Sequence, residues 1–215
     1  MLRENGCPWD ELTCSFATYQ GNLKVLQLAR ANGCPWNEQT CMFAAKGGHL
    51  EMLQWPRANS CPWSANTCLG AARGGRLEVL QWLRANGCPR NEKSMFFTAH
   101  NGHEAIVRAL IEAGADVNKA MDDGATPLCI AAQFDNETIV RVLIVLGADV
   151  SKAMDNGVTP LSIAACFGHN TVVLALIEAG ADVIKVMDNG GTPLSVATHS
   201  GHAAIVQILR DAGAV

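Results

Sequence analysis

Residues 147–179 read GADVSKAMDNGVTPLSIAACFGHNTVVLALIEA, and each part of that line has a mechanical role. Thr159-Pro160 opens a helix, because threonine can cap and proline at the first helical position loses no needed hydrogen bond. The small pair Ala164-Ala165 lets a neighbouring helix approach closely. Val172, Val173, Leu176 and Ile177 then share one face at helical spacing, and Gly180 ends the helix as a left-handed cap. The Asp155-Asn156-Gly157 run falls where a tight hairpin has to turn. The line also repeats: Thr126, Thr159 and Thr192 are 33 residues apart, as are Gly114, Gly147 and Gly180. Self-similarity at such a period is the mark of a repeat architecture.

The unit closely resembles the ankyrin repeat. Thr126-Pro127-Leu128, Thr159-Pro160-Leu161 and Thr192-Pro193-Leu194 carry the likeness, with Gly102-His103, Gly168-His169 and Gly201-His202 as its second element. The family's histidine after the Thr-Pro-Leu triplet is replaced by Cys129, Ser162 and Ser195, which takes an interior hydrogen-bonding side chain away. The resemblance implies an all-α helix–turn–helix solenoid carrying β-hairpin fingers.

A shorter period precedes it. Cys7, Cys34, Cys61 and Cys88 are 27 residues apart, and Trp9, Trp36 and Trp63 keep the same step. The segments AAKGGHLEMLQW and AARGGRLEVLQW match AACFGHNTVVLAL through the helix–loop–helix. Aligning Ala44-Ala45 with Ala131-Ala132 puts Trp36 at the place of Val117 and Gln39 at that of Thr126. Three steps then stand where the long repeat has nine, and the missing six are the whole difference between 33 and 27. The short repeats resemble ankyrin units without a finger, so fingers are expected only in the C-terminal half. Seven helix pairs follow: three short, one hybrid and three full-length. The expected organisation is residues 1–87 as short repeats and 88–215 as a hybrid repeat followed by full-length ones, in one continuous solenoid. Pro56 falls inside the second helix of its unit, at a cost of about 3 kcal/mol in a helix interior, and predicts a kink and a weak point. Neither end carries a polar capping repeat, which predicts imperfect caps or membership of a longer array.

Composition limits function. The 215 residues are 49% hydrophobic and carry a net charge of −4, too mild to call for a nucleic-acid or membrane partner. Residues 1–90 hold nine Lys/Arg against six Asp/Glu, a balance of +3, while residues 91–215 hold seven against fourteen, a balance of −7. No apolar run follows Met1 and no stretch of eighteen apolar residues exists, so neither a signal peptide nor a membrane span is expected. The nine cysteines then predict thiols in a reducing interior, cytoplasmic or nuclear.

The recurring NGCPWNEQTC phrase (residues 32–41) invites a metal reading, but zinc favours cysteines with two to four residues between them, and here there are six. Corresponding cysteines of stacked units are expected roughly 8–10 Å apart, too far for a shared ion or a disulfide. In the alignment Cys41 and Cys68 take the place of a buried leucine, and Cys34 and Cys61 that of a small alanine. They are expected as core, with Trp36 and Trp63 adding apolar area at the junctions. Cys166 and His199 resemble a nucleophile and base, yet occupy equivalent positions one repeat apart. The Asp-rich tips at Asp122, Asp155 and Asp188 read as hairpin turns rather than calcium loops. No enzyme, metal or cofactor is expected.

Surface remains. The two residues between Ala-Ala and Gly-His are the contact positions that the resemblance implies. They give Lys46, Arg73, His100, Asn101, Gln133, Phe134, Cys166, Phe167 and His199 as partner-binding candidates, to which the finger tips add Asp122, Asp155, Val158 and Asp188. Phe134 and Phe167 are apolar residues on helix ends that face solvent, as anchors do; the alternative is that each folds onto its neighbour. Lys46 and Arg73 read equally as solvated charges. The resulting expectation is a monomeric protein-binding module with a concave groove and its main contacts beyond about residue 118. The alternatives are nucleic-acid binding along Lys46, Arg57, Arg73, Arg76 and Arg84, and a structural spacer.

Overall fold

A computed structural model describes residues 11–214. Cys7 and Trp9, the first copy of the short phrase, lie outside the described residues, as does the segment MLREN. The described residues form fourteen helices: α1 (Glu11–Tyr19), α2 (Leu23–Ala31), α3 (Glu38–Gly47), α4 (Glu51–Ala58), α5 (Ala65–Arg73), α6 (Leu77–Ala85), α7 (Ser94–Asn101), α8 (Glu104–Glu112), α9 (Pro127–Gln133), α10 (Glu137–Val145), α11 (Pro160–Phe167), α12 (Asn170–Glu178), α13 (Pro193–His199) and α14 (Ala203–Asp211). They make the seven expected pairs. No helix among them is long and apolar enough to cross a membrane. The chain divides into two compact units after Phe97.

In the second unit the helix starts follow the chemistry of Thr-Pro. The hydroxyl oxygens of Thr126, Thr159 and Thr192 accept from the backbone N–H of Cys129, Ser162 and Ser195, with proline in the first turn. The replacement of histidine by serine does not leave this corner without a hydrogen-bonding side chain. Ser162 Oγ accepts from the Thr159 N–H at 2.9 Å and donates to the Thr159 carbonyl at 2.9 Å. Ser195 repeats the arrangement on Thr192 at 2.8 and 2.9 Å. The serine is short enough to close the box locally. Leu128, Leu161, Val172, Val173 and Leu176 are fully buried behind these corners.

The expected β-hairpin fingers are not strands: among the described residues there is none. Each finger is reduced to a tight turn, in which Met121, Met154 and Met187 donate to the carbonyls of Ala125, Val158 and Gly191 at 2.9, 2.8 and 2.8 Å. Gly124, Gly157 and Gly190 close those turns at φ +82°, +78° and +80°. Successive tips are joined by single bonds, Asp155 N–H to the Asp123 carbonyl at 3.1 Å and Asp188 N–H to the Asn156 carbonyl at 3.2 Å. One bond per junction makes a stack of turns and not a ladder.

In the first unit α3 packs between α1 and α5. Its first helices begin two residues ahead of the position aligned with Thr126: Asn37 and Ser64 are the caps, and Thr40 and Thr67 close the boxes from within. A different device fills the place of the finger. Arg30 on α2 lies 4.1 Å over the Trp36 ring, and Trp36 meets Trp55 on α4 edge-on with centroids 5.6 Å apart. One repeat later Arg57, Trp63 and Trp82 do the same at 4.3 and 5.9 Å. Each tryptophan thus ties two successive second helices through ring-edge and cation–π contacts.

Pro56 does not end its helix. The helix α4 continues to Ala58 and has eight residues where α2 and α6 have nine. The proline ring is buried, and its carbonyl accepts from the Cys61 N–H at 2.9 Å. Placed three residues from the end, it removes one ladder bond where the ladder is about to stop.

Candidate functional site

The contact candidates sit where the first helix of a pair runs out, and the backbone there is clamped by the following repeat. In four of these turns the residue after the left-handed position, glycine or in one case Asp135, reaches back. Arg76 Nε donates to the Lys46 carbonyl at 3.3 Å. Asn136 Nδ2 donates to the carbonyls of Ala99 and His100, both at 2.8 Å. His169 Nε2 lies 3.0 Å from the Gln133 carbonyl and His202 Nε2 3.0 Å from that of Cys166. A carbonyl can only accept, so both ring nitrogens are donors. These side chains satisfy helix-end carbonyls that would otherwise lack partners. His169 and His202 thus hold the backbone beside Phe134 and Phe167.

Phe134 and Phe167 remain 45% and 53% exposed although each leans on an imidazole. Phe134 lies 3.9 Å from the His100 ring of the preceding repeat, tilted by 52°. Phe167 stacks on His169 of its own turn, 6.0 Å away and 10° from parallel. The two alternatives for these rings are therefore both realised: each is propped by a neighbour, and each keeps a face to solvent. His199, Asn101, Asp122, Asp155 and Asp188 are exposed, while Gln133, Val158 and Cys166 are partly covered. The Cys166 sulfur lies 3.9 Å from Ser200 Oγ. Asp135 places its carboxylate 3.6 Å from His169 Nδ1, beside the same patch. Exposed Val186, a finger position that the resemblance also implies, and exposed Ile184 are further apolar surface beside the last tip; helical spacing did not single out Ile184 because it stands in a turn.

In the first unit the basic candidates are engaged with rings. Lys46 Nζ lies 5.8 Å over Tyr19, and the Arg73 guanidinium 4.5 Å over Phe97.

Cys34, Cys41, Cys61 and Cys68 are buried, as their alignment with leucine and alanine requires. The expected separation, however, holds only for corresponding cysteines. A cysteine of the first helix instead meets the loop cysteine twenty residues later. Cys14 and Cys34 have their sulfurs 3.0 Å apart, and Cys41 and Cys61 3.4 Å. The helix hairpin brings the leucine-like position of one unit face to face with the alanine-like position that opens the next, which a comparison between equivalent positions misses. The bond from Cys61 draws the Cys41 thiol below its ordinary range despite burial, while the same bond and burial push Cys61 up. Cys129, held by Thr126 Oγ1 at 3.4 Å, is pushed up by burial. Among the described residues no group of three or more His, Cys, Asp or Glu side chains converges as metal ligands would.

Two overlapping stretches, residues 68–154 and 140–215, match the family model described as ankyrin repeats in three copies. No curated protein matches the chain. The family match, the seven helix pairs and the capped Thr-Pro-Leu corners agree: the chain belongs to the ankyrin repeat family.

Proposed function

We propose that the chain binds a partner protein on the surface formed by its first-helix ends and turn tips, with Phe134 and Phe167 as apolar anchors. Ankyrin repeats are generally protein–protein interaction modules and generally not enzymes. The observation that carries the reading is the pair of half-exposed phenylalanines on backbone fixed by the next repeat. An apolar ring held rigidly in solvent costs little ordering entropy on binding, which is how a few residues come to dominate an interface. Asp122, Asp155, Asp188, Asn101 and His199 supply a polar rim to select among partners, with Gln133, Val158 and Cys166 in the floor between. In the first unit, Lys46 and Arg73 are the corresponding partner contacts. The partner groove would be concave, and the protein itself monomeric and non-catalytic. Nucleic acid is the weaker alternative, since Arg30, Arg57, Lys46 and Arg73 all lie over rings of their own chain.

The test is affinity capture from cell lysate, comparing the natural chain with one in which Phe134, Phe167, Lys46 and Arg73 are all serine. Circular dichroism would first establish that the variant is folded. A protein held by the natural chain and lost by the folded variant supports the reading. Identical captures, or none, refute it.

A further inference from the structure

We propose that Cys14 with Cys34, and Cys41 with Cys61, are disulfide-forming pairs, each able to staple the helix hairpin of one short repeat to the start of the next when a peroxide oxidises it. The inference is independent of the interaction surface. It rests on sulfurs 3.0 and 3.4 Å apart, recurring at one sequence separation of twenty in consecutive repeats. A disulfide bond is about 2.05 Å long, so closure asks each pair to move together by roughly 1 Å. The first sulfur of each pair rides on a helix, α1 or α3. The second sits in the loop after α2 or α4, between a glycine or serine and a proline. In the second unit Cys129 and Cys166 have Thr126 and Ser200 as sulfur neighbours, so the same chemistry is not set up there.

The step balances with hydrogen peroxide as the oxidant. The Cys41 thiolate attacks one peroxide oxygen, an S–O bond forms, the O–O bond breaks, and the departing hydroxide takes a proton to leave as water. The Cys61 sulfur then attacks the sulfenic sulfur. An S–S bond forms, the S–O bond breaks, and the oxygen leaves as a second water with the Cys61 proton. Two thiols and one peroxide give one disulfide and two waters, with sulfur oxidised and oxygen reduced. The hydrogen bond from Cys61 favours Cys41 as the attacking thiolate. All four thiols are buried, so peroxide reaches them through local openings of the repeat.

The experiment treats the full chain, reduced and freed of reductant, with hydrogen peroxide, in buffer and in parallel in urea. After catalase, the remaining thiols are alkylated in denaturant and the unreduced protein is digested with chymotrypsin. Cleavage after Trp36 and Trp63 separates Cys34 from Cys41 and Cys61 from Cys68, so each linkage is read unambiguously by mass. The expected result in buffer is Cys14–Cys34 and Cys41–Cys61 peptides, each pair losing two alkylatable thiols and regaining them with dithiothreitol. In urea the linkages scatter. Thiols that stay alkylatable in buffer, or linkages as scattered there as in urea, overturn the proposal. Cys61→Ala is the matching variant, because sister repeats carry alanine at that position (Ala148, Ala181) and the fold accommodates it. It should leave Cys41 alkylatable while Cys14–Cys34 still forms; Cys41 linking elsewhere would count against pre-alignment.

Discussion

Replacing Trp36 by alanine tests whether the tryptophan ties stand in for the missing fingers. Trp36 is partly buried, touches Trp55 edge-on at 5.6 Å and carries the Arg30 guanidinium at 4.1 Å. Removing roughly 80 Å² of indole surface from cover, at about 25 cal/mol per Å², costs about 2 kcal/mol. The lost ring pair and cation–π contact bring the cost to about 3 kcal/mol. Because repeat arrays unfold in stages, a single melting curve is a poor assay. Hydrogen exchange read by mass spectrometry is better, since it resolves peptides from α2, α3 and α4 separately. Protection in residues 23–58 is expected to fall by roughly 150-fold, the equivalent of 3 kcal/mol, while peptides of α12 and α14 keep theirs. A double-mutant cycle with Arg30→Met would isolate the ring–guanidinium part, expected at about 0.5–1 kcal/mol. Loss of protection below about threefold in residues 23–58, or an equal loss in α12, would refute the idea that Trp36 couples successive second helices.

Gly168 and Gly180 both adopt φ near +85°, but an added Cβ meets His202 Cε1 at 2.7 Å at the first and nothing within 4 Å at the second. Gly180→Ala is expected to cost about 1 kcal/mol of backbone strain. Gly168→Ala should cost at least about 1 kcal/mol more, since His202 must leave the Cys166 carbonyl; equal denaturation midpoints would show that the histidine clamp contributes nothing. The Arg141 guanidinium, with Thr171, holds the Glu137 carboxyl below the usual carboxylate range. A depressed pKa stabilises the fold above the unfolded value of about 4.3, and that contribution is lost as pH falls from there through the lower folded-state value. Glu137→Gln should therefore lower the melting temperature slightly at neutral pH, with the difference closing in acid and in high salt; a difference constant from neutral pH to pH about 3 would contradict this.

Much of this molecule is legible from one line of sequence because its physics is local. Thr-Pro caps, the Ala-Ala pair, apolar helix faces and left-handed glycines act within a few residues, so pattern alone gave seven helix pairs and their order. The burial of Cys34, Cys41, Cys61 and Cys68 was legible too, through alignment with leucine and alanine. The finger was over-read, since Asx-Gly specifies a turn and not the strands on either side of it. Other features depend on what touches across repeats. The reach of His169 and His202 to a carbonyl 36 residues back, the His100 ring propping Phe134, the Arg–Trp–Trp ties and the cysteine sulfurs in contact all join positions with no local signature. By itself the sequence determined the repeat, its period and its core, because those follow from short-range propensity and periodicity. Only the tertiary structure decided which surface groups are clamped, propped or paired, because a contact between repeats depends on how one helix hairpin lies against the next.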